Sequence, residues 1–335
     1  MTSNSNLTVA KKTKNDEFYT QLCDVENELQ YYWGQLKGKV VYCNCDDPTV
    51  SNFWKYFDTH FDDIGIAALI ATHYTPASTS YKLEIKRHPL TGERTPPVRT
   101  DLQGDGDFQS EECIQILREA DVVVTNPPFS LFKEYVTQLI QYGKQFIVMG
   151  NMNIVSSRTV FRLIVSSQMW LGYSNPKRFI MPDGNIKSFG NIVWYTNVDI
   201  RKRHQPISLT CDYDPTRHLP YDNYDAINVG RLCDIPRDYF GIMGVPLTFL
   251  TQQCSDQFEL LGIGSSKQFF TPTKYYIRPL RHNIDGTTTR MHIPVNNTLT
   301  IAYDTPPEGT IYFTANNTDK YLVSPYNRLL IRRKS

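Results

Sequence analysis

The sequence predicts an α/β protein: an open, mostly parallel sheet with helices on both faces over residues 15–200, then a smaller, mostly β domain over 201–335. Three observations predict it. Apolar runs of strand length alternate with segments of helical periodicity between residues 39 and 196. One run, Val122, Val123 and Val124, stops at Pro127 and Pro128, which cannot continue a ladder because neither has an N–H to donate. From about residue 200 the texture changes: helical periodicity fades, prolines recur, and short β-like stretches appear at 246–250, 274–278, 310–314 and 328–332.

The elements follow in order. Residues 1–14 are polar and predict a disordered tail. Residues 24–36 open with acidic residues and carry Val25, Leu29, Tyr32 and Leu36 at helical spacing. A first strand over 39–45 ends at Asp46, Asp47 and Pro48, and a helix follows over 52–61. A second strand over 64–72 leads into a polar, Pro-rich insertion, 75–104, with a hairpin around Gly92; its length suits an arm that leaves the sheet. A turn at Asp105-Gly106 and a helix over 111–120 precede the Val122–Val124 strand. Beyond it come a helix (131–142), a core strand (145–149), a helix (156–167) and strands from Trp170 ending at 192–196.

Composition narrows the function. At 335 residues and 40% hydrophobic content the chain can fill two cores. No apolar run reaches membrane-span length and the N-terminus lacks a signal-peptide core, so a cytoplasmic protein without a membrane partner is expected. Seven cysteines, an odd number without a Cys-x-x-Cys pair, read as thiols in a reducing compartment. Cys43 and Cys45 lie in a strand pattern with no His or Cys partner at ligand spacing, so no metal is expected. The net charge of +1 confines any nucleic-acid surface to local patches. The candidates are Lys86 and Arg87, the run Arg201, Lys202 and Arg203, and 332–334; each reads equally as a solvated face.

Asn126, Pro127, Pro128 and Phe129 form the one stretch with a definite chemistry. They place an amide, a rigid backbone carbonyl and an aromatic ring at a strand's C-terminal edge, where open α/β sheets bind ligands. The two acceptors, the Asn126 side-chain oxygen and the Pro127 carbonyl, can take both N–H bonds of an exocyclic amine. That favours a pyramidal nitrogen with its lone pair free to attack a methyl donor, and the bonds strengthen as positive charge develops. Phe129 offers a π-face to a base.

Asn-Pro-Pro-Phe after an apolar strand resembles the catalytic motif of amino-group DNA methyltransferases. Residues 16–20 (DEFYT), 40–48 (VVYCNCDDP), 221–229 (YDNYDAINV) and 244–250 (GVPLTFL) extend the likeness, over nearly the whole chain, to the EcoRI-type adenine-specific family. The resemblance implies a Rossmann-like, S-adenosylmethionine-dependent methyltransferase sheet and a C-terminal target-recognition domain. It implies cofactor contacts from Phe18, Tyr19 and Thr20, from Asp46, Asp47 and Pro48, from Asp107 and Phe108 (the adenine-binding pair), and from Asn126. Phe18 to Thr20 read equally as a loop covering a core edge, and which of Asp46 and Asp47 contacts the cofactor stays open. Trp194 and Tyr195 stand where related enzymes stack an aromatic on the extruded base; plain core packing is the alternative.

Two departures stand out. The Gly-x-Gly common in methyltransferases is absent after the first strand, which keeps the backbone from approaching a ligand closely. No acid ends the second strand, so the cofactor ribose has no assigned partner.

The implied activity is methylation of adenine N6 in double-stranded DNA with base flipping, by a monomer that shares its site with a restriction endonuclease. Cytosine N4 enzymes usually carry Ser in place of Asn126. A DNA-binding protein without catalysis, of anti-restriction type, and an amino methyltransferase acting on RNA or protein glutamine are the competing readings.

Overall fold

The computed structural model describes residues 19–45, 47–76, 78–180, 185–252, 254–265, 269–290 and 295–334. The chain forms two compact units divided between Ile200 and Arg201. Residues 1–14, Phe18 and Asp46 lie outside the described residues.

The first unit opens with β1 (Tyr19–Thr20), α1 (Leu22–Leu29), α2 (Trp33–Leu36), β2 (Val40–Cys45), α3 (Asn52–Thr59), α4 (Phe61–Ile64) and β3 (Ala68–His73). Then come β4 (Tyr81–Lys86), β5 (Val98–Asp101), α5 (Glu111–Glu119), β6 (Val122–Thr125), α6 (Phe132–Gln141), β7 (Gln145–Asn151) and α7 (Arg158–Val165). It closes with β8 (Trp170–Leu171), β9 (Arg178–Ile180), β10 (Ile186–Ser188) and β11 (Ile192–Thr196). Serines set the helix starts: Ser51, Ser110 and Ser157 accept from backbone N–H groups of the first turns of α3, α5 and α7.

Eight strands form one sheet in the order β5-β4-β3-β2-β6-β7-β11-β8, and β1, β9 and β10 form a smaller one. β3, β2, β6 and β7 run parallel. The other four are antiparallel to their neighbours, so the sheet is mixed rather than mostly parallel. Val41, Cys43, Val122, Val124, Ile147 and Met149 join residues of α1 to α4 in one core cluster. The alternate residues Tyr42, Val123, Phe146 and Val148 are buried too, so both faces are covered. From β2 the chain moves to β3 on one side and later to β6 on the other. Open α/β sheets bind ligands at such a reversal, outside the C-terminal ends of β2 and β6.

Four expectations for this unit change. Val25, Leu29, Tyr32 and Leu36 are all buried, but the helix breaks between α1 and α2, where Tyr32 turns its hydroxyl to Glu28 (2.8 Å). The second strand starts later, because Phe61 and Ile64 are the buried residues of α4, which ends at Gly65 with φ +74. The 75–104 insertion does not leave the sheet: its strands β4 and β5 extend the edge at β3. Arg87 in it is a structural residue, not a free cation. Its guanidinium pairs with Asp62 (2.9 Å), donates to the carbonyls of Ile66 and Phe61, and lies over the Phe61 ring.

The second unit holds β12 (Ile227–Asn228), β13 (Ile242–Pro246), β14 (Phe258–Ile263), β15 (Leu280–His282), β16 (Thr288–Arg290), β17 (Ile301–Tyr303), β18 (Tyr312–Ala315), β19 (Thr318–Val323) and β20 (Arg328–Arg333). They form two sheets, β12-β13-β20-β14 and β16-β15-β18-β19-β17. Asn228 pairs with Gly244, where a Cβ would overlap the Tyr221 ring; the segments 221–229 and 244–250 are thus packed on each other. The stretch at 246–250 is a strand end followed by a 3-10 turn. The stretch at 274–278 is irregular, with Arg278 at φ +48, and forms no strand. Asn296 bonds the N–H and carbonyl of Tyr276, and Asn317 bonds the Ile277 N–H and Tyr275 carbonyl, so side-chain amides replace a partner strand. Among the described residues no helix is long and apolar enough to cross a membrane.

Candidate active site

Val41 lies opposite Val122 and Tyr42 opposite Val123, so β2 and β6 end together. The Thr125 hydroxyl donates to the Asn44 carbonyl and locks the two strand ends. Asn126 follows directly and is only 6% exposed, so its carboxamide is held inside the fold rather than waving from a loop. Pro127 is buried; Pro128 has φ −55, and its carbonyl accepts from Leu131 N–H (3.0 Å) in a 3-10 turn that runs into α6. Phe129 is half-buried against the edge of the core cluster.

Thr125 lies opposite Val148, which sets Met149 of β7 beside Asn126. The Thr20 hydroxyl donates to the Met149 sulfur (3.1 Å) and Asn52 holds the Thr20 carbonyl (2.7 Å), so β1 is fastened at the same sheet edge. Tyr19 pairs through its backbone with Ile180 of β9. Glu28 secures this segment from the far side. Its fully buried carboxylate accepts from Tyr32, from the Tyr173 and Ser174 N–H groups and from the Ser174 hydroxyl. Burial pushes the Glu28 carboxyl upward, and those four donors oppose the shift.

On the other side of Asn126 lies the turn after β2. Cys45 has φ +87, a left-handed conformation that favours glycine. The Gly-x-Gly is absent from the sequence, yet the backbone keeps the conformation a glycine would supply. Pro48 is buried behind this turn. Asp47 Oδ1 accepts from Thr49 N (2.9 Å), Thr49 Oγ1 (2.8 Å) and Tyr81 Oη (2.9 Å). Burial opposes ionisation of Asp47, but these bonds and His73 outweigh it and hold its carboxyl below the usual range.

The 105–108 loop completes the edge. Asp107 Oδ1 accepts from Gln109 N (2.8 Å). The Phe108 ring stands edge-on to Tyr135 (5.0 Å), whose hydroxyl donates to the Asn44 side chain. A chain of contacts therefore runs from Phe108 through Tyr135 and Asn44 to Thr125 and the Asn126 loop. The fold thus brings Thr20, Asp47, Asp107, Phe108, Asn126 and Phe129 to one sheet edge.

Trp194 and Tyr195 stand opposite Met149 and Val148 in the β7–β11 pairing but are closed off from solvent. Both are fully buried in β11: Trp194 packs edge-on to Phe53, while Tyr195 packs on Phe132 and donates to the Asn151 carbonyl. Neither presents an open ring face to a base. Lys86 is half-exposed and pairs with Glu84 (3.0 Å). Arg201, Lys202 and Arg203 form one exposed-to-intermediate 3-10 turn at the start of the second unit. Among the described residues no group of three His, Cys, Asp or Glu side chains could hold a metal ion.

Sequence reasoning missed Asn44, Tyr135, Glu28, His73 and Tyr81. His73 was visible as the residue standing where an acid was sought. Tyr81 carried no signal, because its role depends on β4 pairing with β3.

The family model described as adenine-specific methyltransferase EcoRI matches residues 6–334. The type II methyltransferase M.EcoRI of Escherichia coli is 44% identical over 292 residues, 77% of this chain and 89% of that protein. M.MpnI of Mycoplasma pneumoniae is 39% identical over 280 residues, 75% of this chain and 83% of that protein. M.MgeORF184P of Mycoplasma genitalium is 36% identical over 273 residues, 75% and 84%. No solved structure matches the chain.

Proposed function

The chain belongs to the EcoRI family of adenine-specific methyltransferases, and on that premise we propose that it transfers the methyl group of S-adenosylmethionine to N6 of an adenine flipped out of double-stranded DNA. It is an adenine-specific DNA methyltransferase of the type II restriction–modification kind. The observation that carries the mechanism is the buried Asn126, fixed by two prolines at the edge where the strand order reverses.

The residues at this edge suit a cofactor that is part aromatic and part polar: Phe108 with Asp107 for a purine, Asp47 for hydroxyls, Thr20 towards the amino-acid end. The bound cofactor supplies an electrophilic methyl group. Asn126 and the Pro127 carbonyl accept the two N–H bonds of the adenine amine and orient its lone pair, with most gain as charge develops on nitrogen. Phe129 stacks on the flipped base and, with Trp194 and Tyr195 buried, is the aromatic suited to that role.

The eight-stranded sheet serves as a Rossmann-like cofactor domain, and residues 201–335 as the target-recognition domain. Charge supports that division: residues 201–335 carry 16 Lys and Arg against 12 Asp and Glu, and residues 1–200 carry 19 against 22. Arg201, Lys202 and Arg203 contact phosphates. Their joint replacement by Ala should weaken binding to all DNA sequences alike and flatten the salt dependence by up to three contacts. A cognate endonuclease recognises the same site. Expression in a methylation-free bacterial host, followed by long-read mapping of modified adenines, tests the activity. N6-methyladenine at one recurring site is expected; an unmodified genome with abundant folded protein would overturn the reading.

A further inference from the structure

The geometry points to a substitute for the missing acid at the end of β3. Asp47, from the turn after β2, and His73, from the end of β3, form a two-residue site for the ribose hydroxyls of the cofactor, and Tyr81 and Thr49 position Asp47. This inference rests on the methyltransferase reading above.

Asp47 Oδ1 already holds three donors and has little capacity left. Oδ2 is turned the other way, 3.9 Å from His73 Nε2. That separation is too long for a direct hydrogen bond, yet short enough for one hydroxyl, seated beside the line joining the two atoms, to reach both at hydrogen-bond distance. His73 Nδ1 is buried with no hydrogen-bond partner among the described residues. A buried N–H without an acceptor is the costlier arrangement, which puts the ring proton on Nε2, facing Asp47. Burial also pushes the His73 pKa down, against the pull of Asp47, and keeps the ring neutral near pH 7. A bridging hydroxyl then accepts from His73 Nε2–H and donates to Asp47 Oδ2, so that both facing atoms gain a partner.

His73 is fixed for this. The Ser80 hydroxyl donates to its carbonyl (2.6 Å). Gly106, at φ +80, packs so closely on the same carbonyl that a Cβ would overlap it. Gly106 directly precedes Asp107 and Phe108, and Thr75 N–H donates to the Asp105 carbonyl (2.8 Å), so hydroxyl site and purine pair adjoin. The Tyr81 ring stands edge-on to His73 (5.1 Å), and the Arg99 guanidinium lies 3.8 Å from the Tyr81 ring centre. An isolated Asx turn would account for the two bonds from Thr49. It does not account for Tyr81 and His73, which come from two other strands. The insertion 75–104 thereby gains a role at the cofactor.

Calorimetric titration with S-adenosylhomocysteine and with its 2′-deoxy and 3′-deoxy analogues tests this. The wild type should bind at least one deoxy analogue about tenfold more weakly, the scale of a lost hydrogen bond to a charged group. Tyr81→Phe and His73→Phe should weaken S-adenosylhomocysteine by a similar factor, and the gap between it and that analogue should collapse in both. Thr49→Ala, on an exposed turn that keeps its fold, should show the same pattern more weakly. The inference is overturned if the wild type ignores both hydroxyls, or if the variants lose the same factor for all three ligands. Wild-type protein that bound no S-adenosylhomocysteine at all would instead bring down the methyltransferase reading, and this inference with it.

Discussion

β2 and β6 are neighbours that end side by side, yet the turns that follow them are built in opposite ways. After β6 the chain is restricted from within: Pro127 and Pro128 fix the backbone, and a 3-10 turn hands it to α6. Proline of this kind acts largely by limiting the unfolded chain, so it needs few outside contacts. After β2 the chain holds Cys45 at φ +87 and is restrained from outside, by Thr125 and Tyr135 on Asn44 and by Tyr81 on Asp47. A strained residue persists when its surroundings over-determine it. Rigidity at a site can therefore come from local covalent restriction or from distant partners, and only the first is written in neighbouring residues.

Substitutions on the two turns sharpen this contrast. The largest effect belongs to the β6 turn. Asn126→Ala should lower the methyl-transfer rate on the order of a hundredfold or more, with S-adenosylhomocysteine and DNA affinities largely retained. Single-turnover kinetics beside calorimetry checks it; a folded variant with near wild-type rate would remove Asn126 from the chemistry. Phe108→Ala comes next, because Phe108 leads through Tyr135 to both turns. It should weaken cofactor binding by about 1–2 kcal/mol, the scale of lost aromatic contact and burial, and unchanged affinity in a titration would make Phe108 a plain core residue.

A smaller effect separates the turns by pH. In the proposed ribose site Asp47 accepts as the carboxylate, and its folded pKa lies below the ordinary carboxylate value. The part of the affinity loss that Asp47→Asn abolishes should therefore set in only below the usual carboxylate range, apart from any step that protonation of His73 adds. An Asp47-dependent decline already complete near pH 5 would contradict it. The smallest effect is Cys45→Gly. Relief of a left-handed non-glycine residue is worth about 1–2 kcal/mol, and the added freedom of the unfolded chain takes back about 0.5–1. A net gain of up to about 1.5 kcal/mol in urea unfolding is expected; destabilisation would mean that the thiol's contacts outweigh the strain.

The sequence by itself determined what short-range chemistry controls. The Val122–Val124 strand and its proline stop, the helices of the first unit, the Asn126 tetrapeptide, the 105–108 turn and the family likeness were all readable within windows of about ten residues. Tertiary structure decided which of those pieces meet. Trp194 and Tyr195 look like stacking residues in sequence and are core residues in fact, because β11 pairs with β7 between two covered faces. The insertion looks like a free arm, but β4 finds the open edge of β3 and carries Tyr81 to Asp47. Arg87 looks like a surface cation and is instead held by α4 and its flanks. Strand pairing and burial join residues from 10 to 161 positions apart, whose attraction is the removal of apolar surface from water and the satisfaction of backbone polar groups, and neither depends on local order in the chain.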